Sequence, residues 1–281
     1  MDSSFFSLLL FTLITILYYL VLKPNLSTTM LEDPTGDEYI KYNSSKNTAL
    51  FIYFIMVVLS QIFVNATVII NKCGGSIAQN IGSAFLITLI PWIFIFGGVI
   101  TCLMIFPGFK SAFSNVIGYF AVSGSANNIL SELLVQADIN QTINESANGD
   151  VEKKDSLKTA AEAIVKLCGN MSILINQIVP SNFMEYWLML TPLMKDHYQR
   201  SGAPELKQQL LDTVVRRDNI GEALWYVYSA ILLISITQYS IVSRPCNKDL
   251  ATMQSDQEKF LKTEAKMNAK TDKQNSTIYT L

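Results

Sequence analysis

Few residues in this sequence have the chemistry for catalysis. His197 is the single histidine, which removes most zinc sites and most histidine-based acid–base schemes. Flanked by Asp196 and Tyr198, it reads as a surface side chain. Carboxylates occur as Glu132 with Asp138, and as Asp150, Glu152 and Asp155; such pairs would suit general acid–base work if they converged. The first two do not share a helical face, and the second set runs together with Lys153 and Lys154, so both read as solvated charge. Gly74 and Gly75, and the pair Gly118 and Gly124, lack the strand–turn–helix setting of a phosphate loop. Ser123-Gly124-Ser125 is no nucleophile elbow and reads as a hinge between helices. No catalytic, cofactor-binding or metal-binding residue is assigned, and the chain is expected to be no enzyme and to need no cofactor.

Two further sets could act inside a membrane. Gln61 and Asn65 lie four apart, hence on one helical face. They could line a pore or ligand path, or bond across to a neighbouring helix, and the second reading is the favoured one. Glu222 sits at the edge of an apolar stretch and is expected to reach water or the adjacent Arg216 and Arg217. The four cysteines, Cys73, Cys102, Cys168 and Cys246, are too few for a disulfide scaffold and show no C-x-x-C spacing. Cys102 falls within an apolar stretch and should behave as a small hydrophobe.

The elements that would carry these residues are set by where the charges are missing. The 281-residue chain has 21 basic and 23 acidic residues, yet residues 5–22, 49–70, 81–106 and 221–242 hold a single charge between them, Glu222. A bilayer core about 30 Å thick needs roughly 20 apolar residues in a helix that rises about 1.5 Å per residue. Four transmembrane helices are therefore expected, in an all-α multi-pass integral membrane protein with a helical extramembrane head. The near balance of charge excludes electrostatic capture of nucleic acid. Three spans without charge and a peripheral Glu222 in the fourth argue against a proton or ion pump, which needs ionisable groups in the membrane.

The expected organisation is an N-terminal anchor over residues 1–22, a polar loop over 23–48, a helical hairpin over 49–106, a helical head over 107–220, a last span over 221–242 and a polar tail over 243–281. The first stretch reads as an anchor because it carries an acid at its start and no small-x-small cleavage site. Pro91 should kink the third span, and Pro107 and Gly108 should end it. In the head, Ile129, Leu130, Leu133 and Leu134 have the 3–4 spacing of one buried helical face. Residues 140–155 read as a loop. Asp155 or Ser156 should cap a helix to about residue 179, with Leu157, Ala161, Ile164, Leu167 and Leu174 along one side. Pro180 and Ser181 begin the next helix, carrying Phe183, Tyr186, Trp187 and Leu190, and Pro192 interrupts it. Leu206, Leu210, Leu211, Val214 and Val215 mark one more. Asp218 should cap the last span, with Trp225, Tyr226 and Tyr228 as an aromatic belt. The tail, charged and poor in apolar residues, is expected to be disordered when alone.

Four spans put both termini and the 71–80 linker on one face, and the 23–48 loop with the head on the other. Cys73 and Cys246 then fall just past span ends on the same face. A disulfide would form there if that face is oxidising, although two free thiols are the expected state. Asn-x-Ser/Thr triplets occur at Asn25, Asn43, Asn65, Asn140, Asn144, Asn170 and Asn275. Asn25, Asn43, Asn140, Asn144 and Asn170 fall on the face of the head, which would suit glycosylation on a lumenal side, but in a chain rich in Asn and Ser chance is the favoured reading.

Two stretches bracket the head: FPGFKSAFSNVIGYFAV at residues 106–122 and RRDNIGEALWYVYSAILLISITQYSIV at 216–242. Together they resemble a family of membrane-spanning minor capsid, or inner-membrane virion, proteins of large nucleocytoplasmic DNA viruses of the chlorella-virus and mimivirus kind. The resemblance rests on the turn at Pro107, Gly108 and Phe109, on Phe113-Ser114-Asn115-x-x-Gly118-Tyr119, and on Asn219-Ile220-Gly221-Glu222 before Trp225-Tyr226. It covers about a sixth of the chain strongly. It implies a structural virion protein of the internal membrane beneath the capsid, residing in a host membrane during assembly. Its partners would be the lipid bilayer and capsid or other virion membrane proteins, with no nucleic acid and no small-molecule substrate. The 140–155 loop and the tail would make the capsid contacts. The alternatives are an oligomeric channel using Gln61 and Asn65 and, last, a membrane-interface enzyme.

Overall fold

A computed structural model describes residues 3–134, 171–246 and 250–278. Among the described residues every regular element is helical. In chain order they are α1 (Ser3–Leu17), α2 (Thr28–Glu32), α3 (Asp37–Cys73), α4 (Ile77–Pro91), α5 (Gly97–Ile105), α6 (Ser111–Phe113), α7 (Tyr119–Leu133), α8 (Met171–Gln177), α9 (Phe183–Leu190), α10 (Asp196–Ser201), α11 (Pro204–Ser243) and α12 (Leu250–Ile278). Among the described residues four helical stretches are long and apolar enough to cross a membrane: Ser3–Leu22, Asp37–Cys73, Ile77–Ile105 and Pro204–Ser243. The expected all-α architecture with about four spans is what the chain adopts.

Pi-helical turns interrupt the regular helices at three places, Tyr18–Leu22, Trp92–Phe96 and Ser114–Gly118. The second follows Pro91, whose missing amide hydrogen breaks the i→i−4 ladder where the sequence predicted a kink. Between α3 and α4 the chain reverses through Gly74 (φ 78°) and Gly75 (φ 86°), values that a residue with a Cβ rarely adopts. A capping box then starts α4, Ser76 and Gln79 each bonding the other's backbone.

Several expectations are corrected. The 23–48 loop is largely helical: α2 lies within it, and α3 begins at Asp37, twelve residues before the apolar stretch. Asp37 and Glu38 occupy the first turn of α3, where carboxylates stabilise a helix start. The helix marked by Leu206 and the last span are one helix, α11, of 40 residues. Asp218 is thus mid-helix and caps nothing, because neither a proline nor a glycine pair separates the two apolar patterns. The break comes earlier: Gly202 (φ 71°) closes α10, and Pro204 opens α11 at a position that needs no amide donor. Ser123, Gly124 and Ser125 lie inside α7 and are no hinge. Tyr226 is buried in the membrane core, not in a belt; Trp225 and Tyr228 keep partial exposure.

The tail departs most from expectation. Residues 250–278 form α12 instead of a disordered chain. They contain no glycine or proline and are rich in Lys, Gln, Ala and Glu, all strong helix formers. Lys259, Lys262, Lys266 and Lys270 share one face, while Met253, Phe260, Leu261 and Met267 stand exposed on the remainder.

Three apolar clusters organise the molecule. The head core joins Ile129, Leu130 and Leu133 of α7 to Leu174, Phe183, Trp187 and Leu190, and to Leu206, Leu210, Leu211 and Val214 of α11, with Val215 half-buried at its edge. The faces read from spacing in the described head helices are therefore the buried ones. Leu157, Ala161, Ile164 and Leu167, and the 140–155 loop, lie outside the described residues. The membrane core is aromatic, built on Phe11, Tyr18, Tyr53, Trp92, Phe96 and Tyr226. A small third cluster, Ala66, Ile69, Ala84 and Ile241, closes the opposite end of the bundle.

Candidate functional site

The most concentrated chemistry in the chain lies where the spans meet the head. Glu222, on α11, is buried and takes four partners. Its Oε1 accepts from Lys23 Nζ at 3.3 Å, from the Tyr19 hydroxyl at 3.1 Å and from the Tyr226 hydroxyl at 3.2 Å. Its Oε2 lies 2.8 Å from Lys110 Nζ. Lys110 also reaches Asp218 at 3.1 Å, and Lys23 donates to Asn219 Oδ1 at 2.7 Å. Glu222 was expected to reach water or Arg216 and Arg217. It does neither, because the turns after α1 and α5 bring Lys23 and Lys110 from opposite sides onto its carboxylate.

Two cations face two carboxylates, so the junction is neutral overall and its buried charges are compensated, as buried ions must be. Burial presses the Lys23 ammonium towards a lower pKa, with Glu222 pulling the other way. Burial opposes the charge on Lys110 too, but Glu222 and Asp218 outweigh it and its pKa stands above the usual lysine value. Every member is engaged with another, so the arrangement locks segments 19–23, 110 and 218–226 together.

One turn towards the head, Arg217 is wholly buried and donates to the carbonyl oxygens of Ile175 and, at 2.8 Å, Ile178. The Ile175 carbonyl is in the last turn of α8, where helix carbonyls lack intrahelical partners, and the Ile178 carbonyl lies just past its end. The contact of α11 with the segment 114–118 is close enough to require glycine. A Cβ on Gly118 would lie 2.6 Å from the Arg217 carbonyl oxygen, and one on Gly221 would lie 2.7 Å from Ser114 Cβ.

Inside the bundle the polar side chains bond to one another. Gln61 pairs with the hydroxyl and carbonyl of Ser7. Asn65 donates to Thr88 Oγ1 at 2.8 Å and accepts from Gln238 at 3.2 Å. Thr15 and Tyr53 share a bond of 2.8 Å. The shared face of Gln61 and Asn65 thus joins helices within one chain, the favoured reading of the two.

At the far end of the bundle, Cys73 and Cys246 form a disulfide with Cα atoms 5.3 Å apart. Free thiols were expected; the pairing follows from Lys72, whose ammonium holds the carbonyls of Ile241, Val242 and Arg244 at 2.8, 2.6 and 2.6 Å. That grip places the chain after α11 beside the end of α3. Cys102 is free and half-buried.

Among the described residues, those first screened for catalysis do not converge. His197 is exposed and stacks beside Tyr198, with ring centroids 3.8 Å apart. Glu132 accepts the Tyr198 hydroxyl at 2.8 Å. Asp138, Asp150, Glu152 and Asp155 lie outside the described residues, as do Cys168, Asn140, Asn144 and Asn170. Among the described residues no group of three or more His, Cys, Asp or Glu side chains is placed to hold a metal. Sequence reasoning missed Lys23 and Lys110 as members of the junction; Lys23 directly follows one apolar stretch and Lys110 comes one short turn after another, which is the signal that puts both at the level of Glu222.

The chain matches no family model, and no curated protein or solved structure matches it significantly.

Proposed function

We propose that this integral membrane protein is a structural linker that holds a helical head at a fixed position on a bilayer. The observation that carries the reading is the junction around Glu222 and Arg217, where charge is spent on joining span to head within a single continuous helix. Gln61, Asn65, Thr15 and Thr88 of the spans are likewise used in interhelical bonds, which favours anchorage over a conducting path.

Taken with the resemblance of residues 106–122 and 216–242, the bilayer is the internal membrane of a large DNA virus, and the head contacts the underside of the capsid shell as a minor capsid component. The two resembling stretches pack against each other: Ser114 and Gly118 of the first meet Gly221 and Arg217 of the second. A role in joining membrane to shell gives that crossing a purpose, since any force on the head passes through it. The reading is tested by cross-linking purified particles and identifying peptides joined to lysines of the head. Links to a capsid protein are expected. Links only to other membrane proteins, or localisation to a cellular membrane, would overturn the virion assignment.

A further inference from the structure

A groove of about 840 Å³ runs between α1 and α11 beside the charged junction. On α11 its wall passes from Val227 to Gln208 along one helical face, about 28 Å of axis. One bilayer leaflet with its headgroups is about 20–22 Å deep, so the groove is long enough to cross a single leaflet and reach about 6–8 Å beyond it into the head.

Its lining changes character along that length. The end in the membrane is mainly apolar, with Ile16 of α1 and Leu20 of the turn after it facing Ile220, Ala223 and Val227 of α11, and with Thr12 and Thr15 beside them. The end at the head is polar. There Asn219 and Lys23 stand at the level of the junction, and Arg216 is exposed one turn further on. Asp212, also exposed, follows one more turn out, held by Gln208 Nε2 at 2.8 Å. A cation followed about 6 Å further from the membrane by an anion is the complement of a zwitterionic headgroup, whose phosphate lies nearer the acyl chains than its amine.

We propose that this groove is a binding site for one zwitterionic phospholipid, with an acyl chain between α1 and α11, the phosphate at Arg216 and the amine at Asp212. Arginine suits the phosphate because its planar fork offers several donors to the oxygens at once. The lipid would fill the side of α1 that the other spans leave uncovered. This assignment stands on the groove alone and is independent of the virion reading.

The test is native mass spectrometry of the full-length chain, purified in detergent, stripped of lipid and offered phosphatidylcholine or phosphatidylglycerol in mixed micelles. The wild-type chain is expected to retain one phosphatidylcholine. Arg216→Gln, a change at an exposed side chain, should lower retention of both lipids about fivefold, the loss of one charge-assisted bond. Asp212→Asn should shift the preference towards phosphatidylglycerol by a similar factor. Ala223→Trp, which fills the floor of the groove, should abolish retention, with circular dichroism confirming an unchanged helix content. Equal retention by wild type and Arg216→Gln would overturn the proposal. So would a Leu20→Cys variant that cross-links to a second protein chain in the membrane, since a protein helix would then occupy the groove.

Discussion

Gly118 and Arg217 meet backbone to backbone, with space for a Cβ closed to 2.6 Å by the arginine carbonyl oxygen. The head therefore rests on the membrane bundle through a crossing with no side chain between the two backbones on the Gly118 side. Gly221 repeats the arrangement against Ser114 and the Lys110 carbonyl, at 2.7 and 2.9 Å. Gly118→Ala and Gly221→Ala should each force the backbones apart, at about 1–3 kcal/mol. Gly124→Ala, in the same run of helix but with nothing within 4 Å of the added methyl, should be neutral or stabilising by up to about 1 kcal/mol. Thermal unfolding in detergent distinguishes them, and three equal melting points would contradict the crossing.

Glu222→Gln should be among the most damaging single changes in the chain. It leaves Lys23 and Lys110 short of the carboxylate they share, and breaking a buried ion pair from one side costs about 3–5 kcal/mol. Asp218→Asn should cost less, because Lys110 keeps Glu222 at 2.8 Å. Adding Lys23→Met to Glu222→Gln should recover part of the loss, since the pair no longer leaves a lone buried cation. A double-mutant cycle that came out strictly additive would show that the two residues do not interact.

Cys73 and Cys246 should be recovered as one linked peptide from unreduced protein, and the link should vanish with reductant. Cys246→Ser should lower stability by about 2–4 kcal/mol, the usual range for such a bond. Disulfides persist on oxidising faces, and Asn25 and Asn43 lie on the opposite side of the bundle. Both should therefore carry no glycan. Complete alkylation of both thiols without reductant, or a glycopeptide at Asn25 or Asn43, would count against this arrangement.

Asn65→Leu should loosen the packing of α3 against α4 and α11 by about 0.6–1.7 kcal/mol, the measured range for hydrogen bonds between membrane helices. Reconstituted wild-type protein should pass no ion current above that of empty vesicles. A steady current abolished by Asn65→Leu would replace the linker reading with the channel.

The spans and the buried faces of the described head helices were legible because apolar periodicity is a local signal. Leu130, Leu133, Phe183, Trp187, Leu210 and Val214 could all be placed that way. The corrections come from two other sources. The lengths of α3 and α11 depend on polar residues continuing a helix begun or ended by apolar ones, and composition marks a boundary there that the backbone ignores. The junction depends on three segments far apart in sequence meeting at one depth; Glu222 and Lys23 are 199 residues apart. No spacing rule reaches that far. The disulfide was missed for the same reason, since Lys72 holding the end of α11 is a contact that only the folded chain reveals. The order of α12 was missed because a lack of apolar residues was weighed above the helix propensity of its lysines and alanines.

The unbroken run of α11 also sets a distance. Its 40 residues extend about 60 Å, with Leu206 in the head core and Ile241 at the far membrane surface. Without a flexible joint, the standoff between bilayer and head is set by a count of residues. Inserting four residues before Asp218 would raise part of the head by about 6 Å and turn it by about 40°. It would also shift Arg217 by the same rise and turn relative to Glu222, parting the Gly118 crossing from the Gly221 one, so the height and bearing of the head cannot be tuned separately from its stability.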